Sequence, residues 1–185
     1  MAIQTKPIST EEFERMAEAG LLSKQYREEL IRGIIVKKMT PNPPHATCVT
    51  RLQYMFILRF GSATATVRVQ NPIRIPPNSM PEPDIALLKW RADLYEGMHP
   101  SAEEVLLLIE VSDITLDNDR NVKAPLYAEG GIPEYWIVNI QEEVVEVYSD
   151  LAEGSYSSVH RVGRGETLTL PQGLSGIVAV DDILG

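Results

Sequence analysis

The apolar segment VLLLIEVS, residues 105–112, constrains the fold more than any other part of this sequence. A strand that is almost entirely apolar is typical of the centre of a sheet that is covered on both faces. A second such segment, EYWIVNI (134–140), follows a helical pattern near 117–129 that is stopped by Gly130-Gly131. The order strand, helix, strand predicts a βαβ unit, in which the two strands are parallel and joined by a right-handed crossover.

The segments on either side of this unit predict further strands. TATVRVQNPIRI (64–75) and DIALLKW (84–90) precede it. The tail alternates polar and apolar residues in VVEVYS, SYSSVH and TLTL, which predicts antiparallel strands on one edge of the sheet or in a small added sheet. Together with the helices, these strands predict an α/β (α+β) fold.

Three elements are predicted ahead of the sheet. A capping-box pattern at Ser9 and Glu12 predicts a helix over residues 10–20. Two apolar runs around the Arg-Gly pair of EELIRGIIVKKM (28–39) predict a β-hairpin. An amphipathic helix is predicted over residues 45–60, before Gly61, because apolar residues recur there at helical spacing. These residues are Val49, Leu52, Phe56 and Phe60.

Length and composition favour one intracellular domain. The 185 residues can bury one sizeable core, and no repeat or Ser/Gly-rich linker divides them, so a single domain over 1–185 is predicted. The sequence has no apolar run long enough to cross a membrane, and its start, MAIQTKPISTEEF, lacks the apolar core of a signal peptide. The one cysteine, Cys48, cannot form an internal disulfide, which favours a reduced, cytoplasmic setting.

The net charge of −9 argues against broad electrostatic attraction to nucleic acid, because phosphate binding is driven by Lys and Arg. It does not exclude an enzyme that acts on nucleic acid. A site that collects carboxylates around a cation is itself acidic, and a local basic stripe can still follow a phosphate backbone.

Two carboxylates fall at strand ends. Asp84 opens one predicted strand directly after Pro83, and Glu110 lies near the end of the next. If these strands are antiparallel neighbours, both carboxylates lie at the same edge of the sheet. At about 4 Å they would repel by roughly 4 kcal/mol at an effective dielectric near 20, and a divalent cation would reverse this. Oxygen ligands favour Mg²⁺ or Mn²⁺, with the backbone carbonyl of Val111 as a further ligand. Taken alone, Asp84 would be an ordinary solvated strand start.

A cation near this edge would stabilise charge that develops on a phosphate, and Lys123 is the candidate. Arg120, Lys123 and Tyr127 are spaced i, i+3, i+7 on the predicted helix and share one face, so Arg120 and Tyr127 are possible substrate contacts. His45, at a helix start, is another possible phosphate contact. The alternatives are a solvated charge for Lys123, packing for Tyr127 and a purely structural helix start for His45.

Several blocks of the sequence resemble the Uma family of predicted bacterial restriction endonucleases, within the PD-(D/E)XK nuclease-like superfamily. The most specific block runs from IEVSD (109–113) through the DR pair at 119–120, Lys123 and Tyr127 to GGIPEYWIVN. EELIRGIIVKKMTPNPPH and PEPDIAL match earlier blocks, and the resemblance extends from about residue 10 to 183.

The resemblance implies a restriction-endonuclease-like core, with a mixed sheet flanked by helices, and a Mg²⁺-dependent endonuclease acting on DNA. Asp84 and Glu110 take the places of the metal-binding acids. The tripeptide at 110–112 is Glu-Val-Ser, so Ser112 stands where the superfamily has lysine, and Lys123 matches a lysine moved to the following helix. Glu29 takes the place of the additional acidic residue that the superfamily carries near its metal site. The alternative for Glu29 is a structural role, in a cross-strand pair of the hairpin.

The assembly and the activity both have open alternatives. Nucleases that cut duplexes are often dimers, so a homodimer is expected by analogy. The rival to an active nuclease is a catalytically silent nuclease-fold protein that serves as a binding or oligomerisation module.

Overall fold

Strand β5 (Val105–Ser112) lies at the centre of the computed structural model, which describes residues 6–61 and 64–185. It pairs antiparallel with β4 (Ile85–Lys89) on one side and parallel with β6 (Tyr135–Asn139) on the other. The chain between β5 and β6 is helical, as the strand–helix–strand order predicts. The start of the chain, where no signal peptide is predicted, lies partly outside the described residues.

The sheet has six strands in the order β3-β4-β5-β6-β7-β8, where β3 is Ala65–Val69, β7 is Val144–Ala152 and β8 is Ser155–Gly163. All neighbours are antiparallel except β5 and β6, so the sheet is mixed, as expected. The prediction of a strand over 64–75 is wrong beyond Val69. Gln70 has a positive φ of 52°, and Pro72 has no N–H to donate to a ladder, so the pairing stops there.

The elements ahead of the sheet follow their predictions closely. Helix α1 (Thr10–Glu18) has the capping box, and β1 (Glu28–Ile31) and β2 (Ile34–Lys37) form the hairpin. Both turn residues of the hairpin have positive φ, as a two-residue turn of this kind requires. Helix α2 (Pro43–Phe60) begins two residues earlier than predicted, because Asn42 caps it and a proline is well tolerated in its first turn.

The tail forms both of the predicted arrangements. Strands β7 and β8 extend the main sheet, whereas β9 (Thr167–Thr169) and β10 (Ile177–Ala179) make a separate two-stranded antiparallel sheet. The helical segments between β5 and β6 are α3 (Leu116–Asn118) and α4 (Ala124–Glu129). A further short helix, α5 (Val180–Leu184), follows β10, and no sequence pattern predicted it. None of the helices in the described residues is long and apolar enough to span a membrane.

The two faces of β5 belong to different parts of the core. Its odd-numbered residues from Leu107 to Val111 pack in one cluster with Leu52 and Phe56 of α2. Leu108 belongs to a second cluster, with Tyr127 of α4. Because side chains alternate along a strand, Glu110 faces the same side as Leu108, toward the helical segment between β5 and β6.

Candidate active site

Asp84 and Glu110 lie opposite each other at one edge of the sheet. The antiparallel register pairs Ile85 with Ile109, so the next position along places Asp84 beside Glu110. The Oδ2 atom of Asp84 accepts a hydrogen bond of 2.9 Å from the backbone N–H of Val111. The predicted adjacency of the two strands is therefore confirmed. Both carboxylates are buried, with 3% of each residue exposed.

Glu110 is held by two donors from the following helix. Its Oε1 accepts hydrogen bonds from Lys123 Nζ at 2.7 Å and from the Tyr127 hydroxyl at 2.8 Å. Oε2 has no hydrogen-bond donor among the described residues, and the residue lines a cavity. Burial raises the pKa of Glu110 to about 7, although the neighbouring ammonium of Lys123 opposes the shift.

Lys123 is buried among carboxylates. Its Nζ also lies 3.7 Å from Oε1 of Glu29, and Asp119 adds a further negative charge. Burial alone would lower the pKa of Lys123, but the attraction of Glu110, Glu29 and Asp119 outweighs it and raises the pKa, so the ammonium stays charged. The second oxygen of Glu29 accepts the backbone N–H of Glu82 at 3.0 Å.

Asp84 is held by three donors. Besides Val111, His45 Nε2 lies 3.0 Å from its Oδ2, and Gln70 Nε2 donates to its Oδ1 at 3.0 Å. Burial would raise the pKa of Asp84, but the interaction with His45 outweighs it and sets the pKa at about 2. For His45, burial lowers the pKa, but its contact with Asp84 prevails and raises it above the usual value.

These groups line a cavity of about 450 Å³. One wall is the end of the hairpin with the loop that follows it, and the opposite wall is the segment after β5. The hydrogen bond from Asn42 Nδ2 to Asp113 joins the two walls. The predicted residues in the lining are Glu29, His45, Asp84, Glu110, Val111 and Lys123.

The structure places the other two predicted contacts elsewhere. Arg120 donates from Nε to Glu146 on β7 at 2.9 Å and lies outside the cavity lining. Tyr127 is fully buried and contacts Glu110 from within the core. The expectation of one shared face holds for Lys123 and Tyr127, which both donate to Glu110, but fails for Arg120. Asp119–Lys123 form a π-helical turn, which is wider than an α-helical turn and changes the spacing.

Among the cavity residues that the sequence patterns did not single out are Asp119, Gln70 and Lys38. Asp119 is buried and accepts a hydrogen bond of 2.7 Å from the Thr115 hydroxyl; burial raises its pKa against the attraction of Lys123. Gln70 holds Asp84, and Lys38, which follows β2, lines the same cavity and donates from Nζ to the backbone carbonyl of Glu82. Of these three residues, only Asp119 could have been found from the sequence, because it is the first residue of the DR pair in the block that resembles the family.

Two carboxylates and a backbone oxygen are a suitable donor set for Mg²⁺, which usually takes one or two protein carboxylates and keeps several waters. The Oε2 atom of Glu110 is the oxygen left without a protein donor in the described part of the chain. Within residues 6–61 and 64–185, no cluster of three or more His, Cys, Asp or Glu side chains has the arrangement of a metal site. Asp84 and Glu110 are two neighbouring carboxylates, one fewer than such a cluster contains.

Comparisons with known proteins agree with this fold. A solved structure described as a putative nuclease belonging to DUF820, from Anabaena variabilis ATCC 29413, superposes with a TM-score of 0.74 at 16% identity. The match covers 96% of this chain and 98% of that one, which shows a shared fold. No curated protein matches the sequence. The model of the Uma2 family, described as "putative restriction endonuclease", matches residues 10–181. Because that match spans nearly the whole sequence, this chain belongs to the Uma2 family.

Proposed function

We propose that this protein is a Mg²⁺- or Mn²⁺-dependent nuclease that hydrolyses phosphodiester bonds, with DNA as its substrate. One observation carries the proposal. Asp84 and Glu110 lie side by side at a sheet edge, and the buried ammonium of Lys123 contacts Glu110 on the floor of a cavity. Membership of the Uma2 family supports the assignment to nucleases.

Asp84 and Glu110 would hold the metal, with the carbonyl of Val111 as a further ligand. A metal held by these residues would supply Lewis-acid chemistry, polarising a phosphoryl oxygen and making a water a stronger nucleophile. Glu110 has a pKa of about 7, so it carries a proton in part of the molecules at neutral pH. A cation favours the ionised carboxylate, so metal binding should release a proton from Glu110.

Lys123 would orient the attacking water or stabilise the charge on the phosphate. The lysine position of the tripeptide is occupied by Ser112, but Lys123 reaches the same carboxylate from the next helical segment. Glu29 would keep Lys123 in place, since its carboxylate lies on the other side of the ammonium. His45 and Gln70 would fix the orientation of Asp84 through their contacts with its two oxygens.

Nicking of supercoiled plasmid in Mg²⁺ or Mn²⁺ tests the proposal. Glu110→Gln should abolish nicking, because one metal ligand loses its charge. Glu146→Gln is the matched control, since Glu146 is a buried glutamate of the same sheet that lies outside the cavity lining. Equal nicking by the parent protein and Glu110→Gln would refute the proposed role of Glu110.

A catalytically silent module is the second candidate function. The observation that favours it is the contact of Lys123 with Glu110, because the ammonium already neutralises the carboxylate that a metal would need. Calorimetric titration with Mn²⁺ separates the two functions. Binding that Asp84→Asn abolishes supports the nuclease, whereas no binding to the parent protein supports the silent module. Homodimerisation stays a prediction, and sedimentation equilibrium of the full chain tests it.

A further inference from the structure

The segment 24–38, which contains the N-terminal hairpin and the residues on either side of it, carries a positive charge that the rest of the chain does not. Residues 24–38 contain five Lys or Arg and two Glu, a net charge of +3. The whole sequence carries −9, so the remaining residues carry −12. Three of the five cations line the cavity: Arg27, Lys37 and Lys38. A basic strip beside an acidic floor is complementary to a phosphate backbone that passes over a metal site.

An exposed aromatic ring accompanies these cations. Tyr26 is 39% exposed, and the Nζ atom of Lys37 lies 3.6 Å from the centroid of its ring, so this ammonium covers one face of the ring and a base would stack on the other. Arg27 is held in position by hydrogen bonds of 2.8 and 2.7 Å to the side chain and backbone carbonyl of Gln70, and it also forms an ion pair with Glu82. Cations that follow a backbone and an aromatic ring on which a base stacks are the two features shared by proteins that bind single strands.

The depth of the site favours the same substrate. Asp84, Glu110 and Lys123 are 3 to 4% exposed and lie at the floor of the cavity. Its volume of about 450 Å³ falls in the range of small-molecule sites, about 300–1,000 Å³. A phosphate in a duplex is backed by stacked base pairs and a second strand, so it enters a space between two joined walls less readily than a phosphate of a single strand. A single strand can bend its backbone into the cavity.

We infer that the substrate of this site is single-stranded nucleic acid, bound along the hairpin with its phosphates on Lys37 and Lys38 and a base against Tyr26. The inference rests on the proposed function, because it takes the bond at the cavity floor to be a phosphodiester. The occupant is single-stranded DNA, and single-stranded RNA shares the same chemistry.

A binding experiment in chelator, where no metal-dependent cleavage occurs, tests the inference. A labelled oligonucleotide of about 12 nucleotides falls within the usual site size for such proteins. Fluorescence anisotropy compares this strand with the same sequence as a blunt duplex and as RNA. We expect the full chain to bind the single strand at least about tenfold more tightly than the duplex, since only the single strand offers an unstacked base.

Two variants test the hairpin itself. Tyr26→Ala should weaken binding of the single strand roughly tenfold, because a stacked base loses its partner. Lys37→Ala should reduce the slope of log K against log salt by about 0.7, the contribution of one phosphate contact on a single strand. The matched controls are Tyr54→Ala, an exposed tyrosine on α2, and Lys89→Ala, at the end of β4 opposite Asp84. Both controls should bind like the parent protein.

The outcomes separate this inference from the proposed function. Equal affinity for strand and duplex, or hairpin variants that bind like the two controls, overturns the inference even if the protein nicks DNA. A clear preference for the single strand without any metal-dependent cleavage supports the inference as a binding property and contradicts the nuclease. If the RNA strand binds more tightly than the DNA strand, the substrate is single-stranded RNA, and the choice of DNA is overturned.

Discussion

At the scale of single residues, Asp84 and Glu110 are neighbours with opposite protonation behaviour. Asp84 accepts three hydrogen bonds, and its pKa is about 2, whereas Glu110 is desolvated and its pKa is about 7. Environments that separate the pKa values of two adjacent acids are a common property of catalytic sites. A divalent cation would compete for Glu110 with a proton, but for Asp84 chiefly with His45.

The first prediction concerns the pH dependence of stability. A carboxyl group whose pKa is raised by folding destabilises the protein as the pH rises. For Glu110 the loss begins near the pKa of the group in the unfolded chain, 4.5, and is complete above its pKa in the folded protein, about 7. For Glu110 this loss amounts to roughly 3 kcal/mol at most. Glu110→Gln should remove that part of the pH dependence, and Lys123 keeps Glu29 and Asp119 as partners. Urea unfolding at pH 5 and pH 8 in chelator measures the difference.

Other groups contribute to the same profile with different signs. The lowered pKa of Asp84 adds stability that is lost as pH falls from 3.8 toward about 2, below the range of the experiment. The raised pKa of His45 adds stability at low pH that is lost as pH rises through its folded value. Both contributions persist in Glu110→Gln, because Asp84 raises the pKa of His45 more than Glu110 does, so the comparison with the parent protein reports chiefly on Glu110. An unchanged difference between pH 5 and pH 8 in this variant would contradict the assignment.

The second residue-scale prediction concerns Lys123. Replacing it with Met keeps much of the side-chain volume but leaves Glu110, Glu29 and Asp119 buried together without their common cation. Removing one partner from a buried ion pair typically costs about 3–5 kcal/mol. We expect Lys123→Met to lower the free energy of unfolding by a similar amount at pH 8, and by less at pH 5, where Glu110 is protonated. Thermal unfolding at both pH values checks this, and equal losses would argue against the cluster.

At the scale of elements, the π-helical turn decides which side chains reach the cavity. The backbone N–H of Ala124 donates to the carbonyl of Asp119, five residues earlier, so the turn holds one more residue than an α-helical turn. This brings Asp119 and Lys123 to the cavity and directs Arg120 to Glu146. Pro125 follows at the start of α4 and lacks the N–H that a regular helix would use there.

Deletion of one exposed residue in this turn tests its role. Removing Asn121 should convert the turn to α-helix and rotate Asp119 away from Lys123, because successive helical residues differ by about a quarter turn. The core residues of α4 stay in place, so we expect a folded protein, seen by circular dichroism, that has lost metal-dependent nicking. Asn121→Ala keeps the turn and is the control. Full nicking by the deletion variant would show that the π turn is dispensable.

At the scale of the whole molecule, the cavity and the C-terminal unit lie on different parts of the sheet. Val178, Val180 and Ile183 belong to the buried cluster that includes α2 and one face of β5, and none of them lines the cavity. The tail therefore contributes to stability through the core. The candidate site is built from the hairpin, the ends of β4 and β5 and the segment after β5.

This separation predicts that stability and activity respond independently to changes in the tail. Ile183→Ala removes a fully buried side chain and should cost about 2–5 kcal/mol of unfolding free energy. Asp182→Ala, at the exposed neighbouring position, should change it by less than about 0.5 kcal/mol. Below its melting temperature, each variant should nick DNA at the rate of the parent protein. A specific loss of nicking in Ile183→Ala would connect the tail to the site.

Much of the fold was predictable because its signals are local. The capping box of α1, the hairpin turn at Arg32-Gly33 and the apolar run of β5 each involve residues that are close in sequence. The prediction of one strand over 64–75 was wrong, because Gln70 and Pro72 interrupt the pairing. The β-branched residues on both sides of them gave the segment the pattern of a continuous strand. Helix α5 had no signal, because it is short and packs on distant residues.

The sequence by itself determined the βαβ unit and the two acids at strand ends, because hydrophobic periodicity and the position of a charge within an apolar run can be read from neighbouring residues. Only the tertiary structure decided which side chains meet there. Gln70 reaches Asp84, Glu29 reaches Lys123, and Arg120 turns away to Glu146. These contacts depend on strand register, the π turn and the packing of the hairpin, which are set by interactions between residues far apart in the chain.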